Sequence, residues 1–153
     1  MTSSGTTAES ARSIACQIDG IDTCILNMLE KDGRATLAQL SEATGLSVSV
    51  QKLERRGVIS GYKAIIDDEK RGLPVSAYIA VTPTDYACES EIPGKLHDVD
   101  GIMSCDSVAG SPSYMLTVRA ESPSKLEELL NVIHQTVPVS TETTIVLQRY
   151  FAK

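Results

Sequence analysis

Between Val75 and Tyr150 the hydrophobic period switches repeatedly between two residues and about 3.6, and that order limits the fold more than any other feature. "VSAYIAVT" alternates as a strand (75–82). "ESEIPGKLHD" reads as an irregular helix (about 89–98), weakened by Pro93 and Gly94. "GIMSCDSVA" (101–109) and "SYMLTVRA" (113–120) are strands. "SPSKLEELLNVIHQTV" is a strong helix, capped by Ser122 or Ser124, with Leu126, Leu129, Leu130 and Ile133 on one face. "STETTIVLQRY" (140–150) is a final strand. The order β-α-β-β-α-β predicts the ferredoxin-like split βαβ plan, a four-stranded antiparallel sheet with two helices on one face. Its other face carries apolar residues and needs a second layer. A second copy of the sheet is the simplest cover, so a homodimer built through this half is expected.

The first half has a helical rhythm. In "DGIDTCILNMLEK" (19–31) Ile21, Ile25, Leu26 and Leu29 form a stripe, with Met28 beside it. Asp19 is the expected N-cap and Gly33 the left-handed residue after the helix. A second helix is predicted from about Leu37 to Thr44, capped by Thr36, with Leu37, Leu40 and Ala43 facing inward. Gly45 closes it, Leu46 packs, and Ser47 caps a third helix from about Val48 to Arg56, ended by Gly57. Helix, glycine-containing turn, helix is the helix-turn-helix pattern. "GYKAII" (61–66) is β-preferring and reads as a strand behind the helices. The overall expectation is α+β. It comprises a leader (1–17) that reads as disordered and not as a secretory signal, and a winged helix-turn-helix head (18–59). A strand and hinge (60–74) then lead to a ferredoxin-like domain (75–153).

Net charge is −6, which at first argues against nucleic acid. The acid, however, is unevenly placed: residues 1–71 carry nine Lys/Arg against ten Asp/Glu, and residues 72–153 carry five against ten. The local basic face decides, not the total. Cys16, Cys24, Cys88 and Cys105 form no C-x-x-C pair and His97 and His134 lie far from any paired cysteines, so no structural zinc site is expected and a reduced, cytosolic chain is the simpler reading. No apolar run approaches the roughly 20 residues needed to span a bilayer. There is no phosphate-binding loop and no G-x-G-x-x-G, and no nucleophile–base set can be assembled, so an enzyme is not expected.

In a helix-turn-helix the second helix of the motif enters the major groove and its first turn meets base edges. Ser47 and Ser49 stand there and can bond phosphate or bases. Gln51 can read an adenine edge, and Lys52, Arg55 and Arg56 would meet backbone or groove. Arg34 and Lys63 add phosphate contacts. The plainer reading of "KLERR" is a solvated helix end, with Glu54 partly neutralising it.

The stretches "IDTCILNMLEKDGRATLAQLSEATGLSVS", "LERRGVISGYKAII" and "SVAGSPSYMLTV" together resemble the Lrp/AsnC (feast/famine) family of transcriptional regulators, over nearly all of Ile18 to Phe151. That resemblance implies DNA binding, sensing of an amino acid, and homodimers that assemble into tetramers or octamers. It further implies that the turn in "AGSPSY" helps to hold the effector, with Ala109, Gly110, Ser111 and Tyr114 as carried-over positions and Thr143 and Thr144 as weaker ones. The bare residues read equally as a hairpin turn and β-preferring strand residues. Two departures stand out. The family usually has an aspartate where Ser113 stands. About five further residues, including an arginine that faces DNA, usually separate "GLSVS" from "VQKLERRG". A shortened recognition helix, compensation by the wing, or a segment missing from the sequence between Ser49 and Val50 would each account for the second. The register on both sides favours a missing segment. The competing reading is an amino-acid-binding or scaffold module whose head no longer grips DNA.

Overall fold

In the computed structural model, residues 18–44 and 49–152 are described. The leader (1–17) and the glycine turn with Leu46 and Ser47 lie outside them. The chain divides into two compact units, Met1–Ile65 and Ile66–Lys153.

The described part of the first unit holds α1 (Gly20–Lys31), α2 (Leu37–Thr44) and α3 (Ser49–Arg55). Asp19 caps α1 by accepting from the N–H groups of Ile21 and Asp22, at 2.9 and 2.8 Å. Asp22 reaches back to the Asp19 N–H at 3.4 Å, which completes a capping box. Gly33 is not the left-handed residue expected after α1. Asp32 ends the helix in an extended conformation, and its N–H bonds to the Met28 carbonyl. Thr36 and Gln39 form the same reciprocal cap on α2: the Gln39 N–H donates to Thr36 Oγ1 and the Thr36 N–H to Gln39 Oε1. Ile25, Leu40, Val50 and Leu53 make a small core, with Leu26, Met28, Leu29, Ala35, Val58 and Ile59 packed on it. Leu37 and Ala43 were expected to face inward but are exposed.

α3 runs unbroken through Ser49 and Val50 as a seven-residue helix. It keeps the register because Val50 and Leu53, three apart, still reach the core as one face. It ends in a Schellman turn: the Val58 N–H bonds to the Leu53 carbonyl, the Gly57 N–H to the Glu54 carbonyl, and Gly57 takes φ +70°. The wing strand expected at 61–66 is absent among the described residues; the first strand begins at Val75. "GYKAII" has the residues of a strand, but no neighbouring strand offers its backbone a partner, and Ile65 is 98% exposed.

The second unit has the expected order: β1 (Val75–Pro83), a 3₁₀ segment (Tyr86–Glu91), α4 (Ile92–Leu96), β2 (Ile102–Ser107), β3 (Tyr114–Ala120), α5 (Pro123–Thr136) and β4 (Val139–Val146). The sheet order is β2-β3-β1-β4, with every neighbouring pair antiparallel. The irregular helix predicted at 89–98 is thus a 3₁₀ turn followed by one α turn. Ser122 caps α5, with Pro123 in its first turn. The last strand stops at Val146 instead of Tyr150, again for want of a partner strand. Ala77, Ile79 and Val81 of β1 and Leu116 and Val118 of β3 bury one sheet face against Ile92, Leu96, Leu126, Leu129 and Ile133 of the helices.

Candidate DNA-reading helix and effector pocket

In the head, the two anchors of α3 turn its other residues outward. Gln51, Lys52 and Arg55 are exposed, Ser49 is half-buried, and Arg34 and Lys63 are exposed. Arg34 and Gln51 border one pocket of about 350 Å³, floored by Leu29, Leu40 and Val50. Glu54 and Tyr62 stand on its rim, and the Tyr62 hydroxyl donates to Glu54 Oε1 at 2.9 Å. Partial burial first, and then that carboxylate, push the Tyr62 hydroxyl above its usual range. Arg56 differs from its neighbours. Its Nη1 lies 3.5 Å from Oδ2 of Asp22, whose side chain is 3% exposed. Ser47 lies outside the described residues.

In the second unit, strand alternation separates two faces. Ser76, Tyr78, Ala80 and Thr82 of β1 pair with Val146, Thr144, Glu142 and Ser140 of β4 on the face away from the helices. Arg119 of β3, opposite Ser76, is held at 3.2 Å by Asp68 of the preceding turn. This face is mixed rather than uniformly apolar, because Thr82, Thr117, Glu142 and Thr144 alternate with Tyr78, Ala80 and Met115. At its end the 108–113 turn is fastened at its base: the Val108 N–H donates to the Ser113 carbonyl and the Ser113 N–H to the Val81 carbonyl.

Beside this turn is a pocket of about 280 Å³ lined by Ala80, Thr82, Ser111, Pro112, Ser140, Thr141 and Glu142. Glu142 is its one charged lining residue. Of the positions carried over for an effector, Ser111 lines this pocket; Ala109 and Gly110 lie in the same turn but do not line it. Tyr114 is on the helix side of the sheet, where its hydroxyl donates to the Glu89 carbonyl at 3.1 Å. Thr143, opposite Ile79, shares that side, and Thr144, opposite Tyr78, lies further along the open face. Sequence reasoning missed Thr82, Ser140 and Glu142. The alternation within "STET" was the available signal, but only the β1–β4 register brings it beside the turn. Among the described residues no group of three or more His, Cys, Asp or Glu is placed to hold a metal ion.

Two family descriptions match the chain: an AsnC-type helix-turn-helix domain over residues 18–50 and an Lrp/AsnC ligand binding domain over residues 76–153. The chain is 42% identical over 140 residues to the HTH-type transcriptional regulator LrpA of Mycobacterium tuberculosis, covering 88% of this chain and 93% of that one. It is 30% identical over 138 residues to the regulatory protein AsnC of Haemophilus influenzae, covering 86% and 92%. A solved structure of a feast or famine regulatory protein from M. tuberculosis, complexed with L-methionine, superposes with a TM-score of 0.84 at 42% identity. It covers 88% of this chain and 95% of that one.

Proposed function

This chain belongs to the Lrp/AsnC family of transcriptional regulators, and on that premise we propose how it divides the work between its units. The head binds double-stranded DNA through α3, with Gln51 and Ser49 toward base edges and Lys52, Arg55, Arg34 and Lys63 toward phosphates. Ser47, two residues ahead of Ser49 in the sequence, is assigned to the same DNA contact. The second unit senses an amino acid, as the methionine complex of its relative suggests. The observation that carries this reading is that a recognition helix with Gln51, Lys52 and Arg55 all facing solvent stands on the same chain as a turn-side pocket with a single carboxylate. Glu142, the one charged residue lining that pocket, takes the effector's ammonium. Ser111 supplies the turn's contact at the pocket, Ala109 and Gly110 shape the turn that carries it, and Tyr114, Thr143 and Thr144 shape the neighbouring sheet.

Homodimers fit the unpaired segments. Leu147, Tyr150 and Phe151 of the second unit are 96, 84 and 80% exposed, an apolar surface that a second copy would cover, and Ile65 of the head is 98% exposed. Dimers then assemble to tetramers or octamers in the cytoplasm, and the effector acts by favouring one assembly over another. A dimer presents two heads to one duplex, so paired half-sites one or more helical turns apart are expected. The test has two parts. Duplex binding followed by fluorescence anisotropy must weaken steeply as salt rises. Solution mass measured with a panel of amino acids must change with at least one of them. Absence of duplex binding at low salt would leave the second unit as a stand-alone sensor module.

A further inference from the structure

We propose that Arg56 is a positioning residue that ties the recognition helix to the buried carboxylate of Asp22, and that it leaves the phosphates to its neighbours.

α3 has seven residues and rests on two apolar anchors, Val50 and Leu53. Two anchors define a line, and a short helix can pivot about it. A third contact off that line stops the rotation. Arg56 stands one residue beyond the helix, where its N–H is held by the Lys52 carbonyl. Its side chain is 21% exposed, against 3% for that of Asp22, with Nη1 and Oδ2 3.5 Å apart. Asp22 is in the first turn of α1 and is itself fixed by the capping box with Asp19. The pair therefore joins the start of α1 to the end of α3 across 34 residues of chain.

A buried carboxylate without a counter-charge is strongly disfavoured. Asp22 is 2% exposed, and Arg56 is the cation beside it. The Asp19 carboxyl is held below its usual range, chiefly by the Asp22 N–H, with Lys52 and Arg56 adding their charge. Lys52 and Arg56, four apart, thus both lie near the acidic start of α1. Moving Arg56 onto a phosphate would strand Asp22. Arg55 has no such tie among its ion pairs in the described residues and is exposed.

This inference rests on DNA binding by the head, and the test separates the two. The full-length chain is titrated with a 30-base-pair duplex of random sequence over a salt series, at a temperature where circular dichroism shows each variant folded. Wild-type binding that weakens with salt establishes the DNA reading first; no binding overturns that reading and this inference together. The expected pattern is then specific. Arg55→Gln lowers the slope of log affinity against log salt by about one per head, as loss of a phosphate contact does. Arg56→Gln leaves the slope unchanged but weakens binding about tenfold, and Asp22→Asn does the same. The double variant is no weaker than either single one. Arg56→Lys, which keeps the charge, recovers most of the affinity. A flattened slope for Arg56→Gln, or tighter binding for Asp22→Asn, overturns the proposal. So does unchanged affinity in the folded single variants, since that would leave the pair with a purely structural role.

Discussion

At the scale of single residues, Gly101 and Glu142 make opposite kinds of demand. Gly101 takes φ +91°, a region that favours glycine, and a Cβ there would stand 3.0 Å from the Arg119 carbonyl oxygen and 3.2 Å from Leu129 Cδ2. Both neighbours are held: Arg119 by the sheet, and Leu129 inside the core. Gly101→Ala should therefore destabilise the second unit by about 1–3 kcal/mol, seen as a lower calorimetric midpoint. Glu142 demands nothing of the fold, because its carboxylate is exposed. Glu142→Gln should leave the midpoint in place and weaken amino-acid binding roughly tenfold in isothermal titration, the scale of a charge-assisted hydrogen bond. Equal affinity in the variant would assign the ammonium elsewhere. Cys105 offers a third check at this scale. Burial, then the charge of Asp106, push its thiol above the usual range. It should alkylate more slowly than the exposed Cys24, as peptide mass spectrometry of a time course would reveal.

At the scale of elements, the helices and strands were readable wherever their partners were local. Asp19 and Thr36 announced their helices because a cap needs only the next three residues. The β-α-β-β-α-β order was readable because each period is written within its own segment. What failed was long-range. The strand expected at 61–66 has the right residues and no neighbour to bond; the final strand stops early for the same reason. Nothing local in the sequence singles out Asp22, whose counter-charge, Arg56, stands 34 residues away. Glu142 and Ser111 likewise meet through sheet register, which no single segment encodes. The short α3 itself was visible, and two correctly spaced anchors are enough to hold its register. The same economy makes it fragile. Leu53 is fully buried, and Leu53→Ala should cost the head about 2–5 kcal/mol. Duplex binding should then fall with the folded fraction of the head, while amino-acid binding by the second unit persists.

At the scale of the whole molecule, the acidic second unit and the near-neutral head serve different ends. Phosphate attraction supplies most nonspecific affinity. A chain of net charge −6 restrains it and leaves the local basic face to act. The apolar tail beyond Val146 has a separate consequence. Gln148, Arg149, Tyr150 and Phe151, with Tyr78 and Val146, surround an open hollow of about 530 Å³ on the same unit. If a second copy covers this region, removing residues 147–153 should shift the solution mass from dimer or larger toward monomer, measured by light scattering. An unchanged mass would place the contact between copies on the sheet alone.

A seven-residue reading element rises about 10 Å, the thickness of roughly three stacked base pairs. A word of three letters recurs throughout any genome, so one head by itself has little to recognise. Selectivity must then come from how many such words are engaged at once and from their phasing along the double helix. Each tethered head raises the local concentration of the next. Whatever alters the number of joined copies would thereby alter which genomic addresses are legible at all.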